Sequence, residues 1–514
     1  MYPRIRANNK YRATDFVRKK DPKEVGSKDI ICQCMEGADV LLDNFRNDVS
    51  CHVLSEFENK GVSLEKLLEL QKKVPIYYPW NFGYNNLRTN VNRRFVAFPM
   101  GIAMCETTEQ VVKMIKFCRK YDIHFVTRSG AHCFERYSLT DGIIIDQSRR
   151  NGFKVEETGV ILEPGVLQGP LQLELAKHDL AFVGGTCPNV GLGIILGGGI
   201  GFLTRTFGLS SDNLLEIEIV LASGDVIRAS KDQHSDLFWA CQGAGVGNFG
   251  IITQYIVSVK SISTVSIYNL IYPIDELNTV LQTWQRWAPF TDNRMSSELD
   301  VYADYVQVTG QFLGCKEEMK KFLAPFENIP STSLYFKTVP FIDAVRFFAG
   351  MGRWMPFFKN KSAFVFEFWP EEATEIIKKH MKNAGPEDHL ELDALGGFNS
   401  EVPSDATAFP YREGTLFWAH FQAHFSHQQE TFNRVKWVTE FYDEMKPFIR
   451  GAYVNAPDAD LKDPLKKYFA ENLSELIKIK DKYDPDNVFH YGQSIPTSEE
   501  AIRRVTFQDD ITII

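Results

Sequence analysis

Three glycine-rich segments separated by short β-branched runs constrain the fold of this chain more than any other feature. The segments are residues 129–132, 184–201 and 243–250, and the runs are residues 142–146, 214–221 and 251–259. Glycine lets a backbone approach another chain or a large ligand closely because it has no Cβ. Short β-branched runs between turn signals are typical of buried strands. Residues 92–259 therefore predict an α/β unit whose loops surround a ligand. A capping box of Thr107 and Gln110 opens its helix to Lys120.

A different pattern begins near Ser261, where alternating runs become longer. The runs are residues 265–272, 297–312, 364–369 and 415–425, separated by helical patterns at 275–287 and 371–382. Alternation over this length predicts an antiparallel sheet covered by helices. From about residue 441 the chain returns to helix and loop. Residues 1–78 read as a charged, mostly helical extension, with leucines at helical spacing after Ser63.

Length and charge exclude several classes of protein. The 514 residues predict two or three domains. A net charge of -9, from 57 Lys and Arg against 66 Asp and Glu, argues against a nucleic-acid or anionic-membrane partner. No secretory signal or membrane-spanning segment is visible, so we expect an intracellular protein with reduced thiols. Cys32 and Cys34 form C-x-C rather than a C-x-x-C motif, and we expect no metal.

The segment from Gly245 to Gly250 matches G-x-G-x-x-G, the fingerprint of a dinucleotide-binding βαβ unit. That fingerprint needs a preceding strand, a following helix and an acidic residue about 20 positions later. Here residues 236–241 have a helical pattern and residues 251–259 are β-branched, which is the reverse order. We therefore do not predict a Rossmann site.

A histidine and a cysteine, His132 and Cys187, each lie inside a glycine-rich segment. Runs of exposed backbone N–H groups suit an anionic pyrophosphate, and both side chains are nucleophiles. Taken alone, the spacing favours a hydrogen-bonded structural role for His132 and a small buried apolar role for Cys187.

An ordered set of motifs over residues 92–496 resembles the berberine bridge enzyme-like group of the vanillyl-alcohol-oxidase superfamily. The motifs are RSGAH at 128–132, GTCP at 185–188, GGGIG at 197–201, GLSSDN at 208–213, DLFW at 236–239, GNFG at 247–250, DPDN at 484–487 and QSIP at 493–496. The resemblance implies an α+β fold with a PCMH-type FAD-binding domain at residues 79–260. A substrate domain with an antiparallel sheet covered by helices would follow at 261–440, and residues 441–514 would return to the FAD-binding domain.

The resemblance also implies a bicovalently bound FAD. His132 corresponds to the residue that bonds the flavin 8α-methyl group, and Cys187 to the cysteine that adds to flavin C6. The remaining implied cofactor-binding residues are Arg128, Ser129, Gly130, Ala131, Ser138, Gly185, Thr186, Val190, Gly191, Gly197, Gly198, Gly199, Gly201, Asp212, Asn213, Gly247, Asn248, Gly250, Ile252 and Asn455. Ala131 replaces a family glycine. Val190 lies at the family's gatekeeper position beside the flavin, where valine accompanies oxygen access.

The strand predicted at residues 415–425 places apolar side chains on one face and His420, Gln422 and His424 on the other. Alternation alone leaves the second face either solvated or a pocket wall. The resemblance favours the pocket, because His420 falls near a catalytic or substrate-binding Glu or Gln of relatives. It also implies a catalytic Tyr453, although Ala456 replaces the second tyrosine of the family segment.

These observations predict an FAD-dependent oxidase. A small-molecule substrate, in the first place an alcohol, would deliver hydride to flavin, a base (His420 or Tyr453, with Gln422 nearby) would take the hydroxyl proton, and O2 would be reduced to hydrogen peroxide. One alternative is a dehydrogenase with another electron acceptor. A second is a flavoprotein fold used as a structural or packaging component. A homo-oligomer is compatible with each of them.

Overall fold

The computed structural model of the chain describes residues 5–6, 40–349 and 355–503, with side chains from residue 48 onward. Most of the predicted N-terminal extension before residue 40 lies outside the described residues. The helices are α1 Val40–Asn59, α2 Leu64–Gln71, α3 Tyr84–Leu87, α4 Thr108–Lys120, α5 Gln168–Leu175, α6 Thr204–Phe207, α7 Ser235–Cys241, α8 Leu277–Trp287, α9 Lys316–Phe322, α10 Phe341–Ala349, α11 Glu371–Met381, α12 Phe398–Glu401, α13 Thr431–Met445, α14 Pro464–Phe469 and α15 Leu473–Tyr483.

The strands belong to sheets of six, two, seven and four strands. They are β1 Ile5–Arg6, β2 Ile76–Tyr77, β3 Gly101–Met104, β4 Phe125–Arg128, β5 Ile143–Asp146, β6 Gly152–Glu156, β7 Gly159–Leu162, β8 Leu180–Phe182, β9 Leu214–Val220, β10 Val226–Ser230, β11 Ile251–Val257, β12 Val259–Ser261, β13 Thr264–Pro273, β14 Glu298–Val301, β15 Tyr305–Phe312, β16 Ser333–Pro340, β17 Phe357–Val365, β18 His389–Ala394 and β19 Phe417–Phe425.

The first region contains two of these sheets. One has the order β2-β3-β5-β4, in which β3 and β4 pair parallel to β5, and the other is antiparallel with the order β1-β6-β7-β11-β9-β10. Helix α4 begins as predicted, because the Thr107 side chain accepts a hydrogen bond from the Gln110 N–H. The capping box is wrong in one detail: Gln110 Oε1 accepts from the N–H of Glu106, one residue earlier than the reciprocal partner that the motif requires.

Helices α1 and α2 are part of the core of the first region. Val53, Phe57 and Leu67 are buried in one apolar cluster with Val111 of α4 and Ile143 of β5. Ser63 caps α2 by accepting from the N–H of Lys66. The described part of the predicted extension therefore packs directly onto the parallel strands.

The second region is built on an antiparallel sheet with the order β16-β13-β15-β14-β18-β19-β17. Helices α8 and α13 pack against this sheet, and α11 packs against both of these helices. Phe417 and Phe421 of β19 point into that core, as the alternation predicts, and Phe425 is also buried. The run at 297–312 forms two strands, β14 and β15. The α+β class and the helix-covered antiparallel sheet are confirmed.

The C-terminal part returns to the first region. Lys480 of α15 is fully buried, and its Nζ donates to Asp484 and to the carbonyls of Asn248 and Phe489. Its charge is therefore paired inside the core, and its hydrogen bonds join α15 to the third glycine-rich segment. Among the described residues, no helix is long and apolar enough to cross a membrane.

Candidate active site

A cavity of about 600 Å³ lies where the glycine-rich segments face the seven-stranded sheet. The loops after β4, β8 and α7 line one wall, and residues of β14, β18 and β19 line the opposite wall. Clefts of this size commonly enclose a small ligand. The third glycine-rich segment lies between α7 and β11, so the absence of a βαβ order at Gly245 is confirmed.

His132 and Cys187 meet at the cavity wall although they lie on different loops. His132 Nε2 is 3.7 Å from Cys187 Sγ, and the cysteine is exposed. Desolvation lowers the pKa of His132 to about 4, so its ring is neutral at physiological pH and carries a lone pair. Two nucleophilic atoms this close can react with neighbouring atoms of one ligand.

The two loops are held together by close backbone packing. A Cβ added at Gly130 would lie 2.8 Å from the Gly191 nitrogen, and one at Gly191 would lie 3.0 Å from the Gly130 Cα. Any larger residue would push the loops apart and separate His132 from Cys187. The Nε2 of Gln168, on the same cavity wall, is buried without a hydrogen-bond partner in the described part of the chain. Closely packed loops together with a free N–H donor at Gln168 suit the binding of a large polar cofactor.

Ala131 lies in the left-handed region, with φ of +53°. This conformation costs an L-residue about 1–2 kcal/mol, whereas glycine adds only ~0.4–1 kcal/mol of unfolded-state entropy. We expect Ala131→Gly to stabilise the protein by roughly 0.5–1 kcal/mol and Ala131→Val to destabilise it. Chemical unfolding followed by tryptophan fluorescence measures both. An equal loss of unfolding free energy in the two variants would show that the backbone of Ala131 is not strained.

Most of the predicted cofactor-binding residues line the cavity. They are His132, Cys187, Arg128, Ser129, Gly130, Ala131, Ser138, Gly185, Thr186, Val190, Gly191, Gly247, Gly250, Ile252 and Asn455. For Arg128 the guanidinium group is committed elsewhere, because its Nε donates to Asp146 at 2.6 Å and its other nitrogens donate to the carbonyls of Leu87 and Thr89. The Arg128 side chain therefore holds the loop that follows β4 in place.

The other predicted cofactor-binding residues lie behind the cavity wall. They are Gly197, Gly198, Gly199, Gly201, Asp212, Asn213 and Asn248. Asp212 is paired with the buried Arg412, and the Asn213 amide donates to two backbone carbonyls. Asn248 Oδ1 accepts from the N–H of Ile495. These side chains hold the loops in place, and the structure brings none of them to the cavity surface.

Tyr453 is anchored to the second glycine-rich segment. Its hydroxyl oxygen accepts hydrogen bonds from Gly199 N–H at 2.8 Å and from Asn455 Nδ2 at 2.9 Å. Desolvation raises the pKa of Tyr453 to about 12. A Cβ at Gly197 would lie 2.1 Å from Asn455 Oδ1, so this contact requires glycine. Tyr453 lines the cavity as a neutral phenol.

The wall opposite the loops is the polar face of β19. His420 and Gln422 line the cavity, as the pocket interpretation of the alternation predicts. The His420 ring lies between Phe134, with ring centroids 5.9 Å apart, and Trp418, at 4.7 Å. His420 Nδ1 is 3.8 Å from Glu391 Oε2, and its Nε2 is buried without a partner in the described chain. Gln422 Nε2 donates to the same Glu391 carboxylate.

An acidic group beside His420 was missed by the sequence reasoning. Strand pairing places Glu298 opposite Asp393 and Asp300 opposite Glu391, while Glu391 is opposite His420. Burial raises the pKa of Asp300 to about 7. Burial opposes ionisation of Glu391, but the imidazoles of His389 and His420 outweigh it and hold the Glu391 pKa well below its usual range. The alternating polar residues of H-x-E-x-D at 389–393 place three ionisable side chains on one face of a strand, and this pattern could have indicated the acidic group.

Comparison with known proteins places the chain in a family. A model of the FAD binding domain matches residues 99–230, which include His132 and Cys187, and a model described as berberine and berberine like matches residues 452–496. Berberine bridge enzyme-like 24 of Arabidopsis thaliana is 30% identical over 445 residues, which are 75% of this chain and 81% of that protein. The chain belongs to the berberine bridge enzyme-like family.

Two further comparisons agree with this membership. The "Uncharacterized FAD-linked oxidoreductase YgaK" of Bacillus subtilis is 36% identical over 434 residues, 82% of this chain and 96% of that protein. The structure of Physcomitrella patens BBE-like 1 superposes with a TM-score of 0.79 at 26% identity, covering 84% of this chain and 99% of the other. This berberine bridge enzyme-like protein is an FAD-linked oxidoreductase with the fold of its family.

Proposed function

We propose that this protein is an oxidase with FAD attached through both His132 and Cys187, acting on an alcohol-type C–H bond of a small molecule. The main observation in support of attachment through both residues is that His132 Nε2 lies 3.7 Å from Cys187 Sγ. His420 is proposed as the base because its Nε2 has no hydrogen-bond partner among the described residues and because it lines the same cavity. When bound, FAD supplies the acceptor for the electron pair of the C–H bond and passes both electrons to O2, giving hydrogen peroxide.

His420 is the proposed general base. Its Nε2 has no competing hydrogen bond among the described residues, so it can take a substrate hydroxyl proton. Glu391, 3.8 Å from Nδ1, would stabilise the imidazolium that results. Gln422 donates to Glu391 and fixes the carboxylate, which makes Gln422 a positioning residue. Aromatic rings beside the His420 ring restrict its rotation.

Tyr453 is the weaker candidate for the base. Its oxygen already accepts two hydrogen bonds, and its pKa of about 12 keeps it protonated at neutral pH. Its proposed role is to orient substrate and to hold the loop at Gly199. Val190 also lines the cavity, and its small side chain supports access of O2 rather than exclusion.

Covalent attachment gives the first test. After acid precipitation, we expect the protein pellet to stay yellow. His132→Ala and Cys187→Ala should each retain flavin through the remaining bond, and the double variant should release all of it. Cys133→Ala removes the neighbouring thiol and should leave both bonds. Flavin found entirely in the supernatant of the unaltered protein would contradict the proposal.

Oxidase and dehydrogenase behaviour are separated by reoxidation. A panel of alcohols, sugars and alkaloids is screened under nitrogen for loss of flavin absorbance, and air is then admitted. The proposal expects rapid return of the oxidised spectrum with one hydrogen peroxide per substrate. Reduced flavin that persists in air would identify a dehydrogenase.

A further inference from the structure

Asp300, His389 and Glu391 form a compact group on the cavity wall, on neighbouring strands β14 and β18. One ligand atom from each lies within 4.8 Å of the others, and His389 Nε2 is 3.9 Å from Glu391 Oε2. Two ligands of one ion, each about 2.0–2.2 Å from it, can be up to roughly 4.3 Å apart. The 3.9 Å separation of His389 Nε2 and Glu391 Oε2 fits a shared ion, and Asp300 lies within 4.8 Å of both.

The tautomer of His389 suits a metal ligand. Its Nδ1 lies 3.1 Å from the Glu387 carbonyl oxygen, to which it can only donate. In the neutral ring this leaves the Nε2 lone pair facing Glu391 and Asp300. Ligating histidines commonly use such a backbone contact to fix the ring. A metal ion that displaces the Nε2 proton would therefore have three ligand atoms converging on it.

A buried carboxylate oxygen that has no hydrogen-bond partner among the described residues lies beside this group. The Asp393 side chain, 7% exposed, has an Oδ2 without a partner in the described part of the chain, and Asp393 lies with Glu298 and Glu391 within 4.8 Å. Among the described residues that line the cavity, Arg128 is the only Lys or Arg, and Asp146 pairs with it. The lining carboxylates Glu298, Asp300 and Glu391 therefore face no unpaired Lys or Arg among the described residues.

We propose that Asp300, His389 and Glu391 bind a divalent transition-metal ion in the substrate cavity. One imidazole nitrogen with two carboxylate oxygens suits Zn²⁺, Mn²⁺ or Co²⁺ better than Mg²⁺ or Ca²⁺, which prefer oxygen alone. Three protein ligands leave at least one position open toward the cavity. The ion would bind an oxygen atom of the substrate there, beside His420. This departs from the metal-free site expected from the sequence.

The test uses the flavin-containing protein treated with EDTA and dialysed. Calorimetric titration with Zn²⁺ should give one ion per chain, and Co²⁺ should give visible absorption bands. His389→Ala and Glu391→Gln should weaken Zn²⁺ binding at least 10–100-fold. His424→Ala, whose ring centroid is 5.7 Å from that of His389, is the matched control and should change binding less than twofold. Flavin absorbance and circular dichroism confirm that each variant is folded.

Three results would overturn the site. Zn²⁺ binding that is equal in the unaltered protein and in both ligand variants would place the ion elsewhere. If Asp393→Asn lost Zn²⁺ binding while His389→Ala kept it, the ion would be assigned to Glu298, Glu391 and Asp393. Absence of metal binding, with an organic ammonium bound instead, would show that the carboxylates select a cationic substrate. All three readouts are independent of turnover.

Discussion

His420→Ala is expected to slow reduction of the bound flavin by roughly 10²–10⁴-fold, the usual contribution of a positioned general base. The reason is geometric: His420 Nε2 lines the cavity, is buried, and has no partner among the described residues. Stopped-flow absorbance under nitrogen measures the step directly, using any panel compound that reduces the unaltered protein. Removing the base should lower the limiting rate more than it changes the substrate concentration at half-maximal rate.

Two control variants separate His420 from its neighbours. Tyr453→Phe removes the hydroxyl that Gly199 and Asn455 contact, and should slow reduction less than His420→Ala does. His424→Ala shortens another histidine on the same face of β19. Desolvation lowers the pKa of His424 to about 3, so it carries no charge to lose, and we expect less than a tenfold effect. A larger loss in Tyr453→Phe than in His420→Ala would assign proton abstraction to the tyrosine.

Local patterns were sufficient to predict much of the fold and one wall of the site. Alternation along 415–425 separates the buried Phe421 from the cavity-lining His420, because side chains of a strand point to opposite faces. The glycine-rich segments predicted close loop contact, and Gly130 and Gly191 make it. The motifs that carried the family resemblance span both chain regions, so the family assignment did not depend on one segment.

The rest depended on contacts between residues distant in sequence. Asp300 and Glu391 are 91 positions apart and meet only through pairing of β14 with β18, which no local pattern specifies. Residues with similar motif signals also have different roles in the structure. Asp212 belongs to a family motif like His132, yet it faces Arg412 behind the wall. Burial of α1 and α2 was missed because their charged surface obscured the apolar stripe that contacts Ile143.

The predicted division of the chain into parts at 1–78, 79–260, 261–440 and 441–514 stays a prediction in its details. Two hydrogen bonds join parts of the chain that are distant in sequence. Asn248 and Lys480 join the third glycine-rich segment to α15. Gly199 and Tyr453 join the second segment to the loop that follows the sheet. The cavity is therefore lined by side chains from widely separated stretches of chain, and its shape depends on the polar contacts between them.

Asp458→Asn should have the largest effect on stability, because Asp458 is the acidic centre of a buried network. Lys359 Nζ lies 2.6 Å from Asp458 Oδ1 and 2.6 Å from Glu135 Oε1, and Lys361 Nζ lies 2.7 Å from Asp458 Oδ2. All four side chains are at most 4% exposed. Asparagine keeps the shape but removes the charge, leaving Lys361 buried without its carboxylate. We expect a loss of about 3–5 kcal/mol.

That loss corresponds to a fall of roughly 3–5 °C in the thermal midpoint of a cooperative chain of this size. Asp460→Asn is the matched control: Asp460 also lies 2.9 Å from Lys359, but its side chain is 57% exposed, so we expect less than about 1 kcal/mol. Equal shifts in the two variants would contradict the buried network.

The pH dependence of unfolding gives an independent check of the same network. Burial opposes ionisation of Asp458, but Lys359 and Lys361 outweigh it and lower its pKa in the folded protein. An acid with a lowered folded pKa contributes stability that is complete above its unfolded pKa of about 3.9 and is lost as the pH falls through the folded value. The midpoint of the unaltered protein should therefore fall below pH 4 more steeply than that of Asp458→Asn. Parallel pH profiles would show that ionisation of Asp458 does not stabilise the folded protein, which would contradict the network.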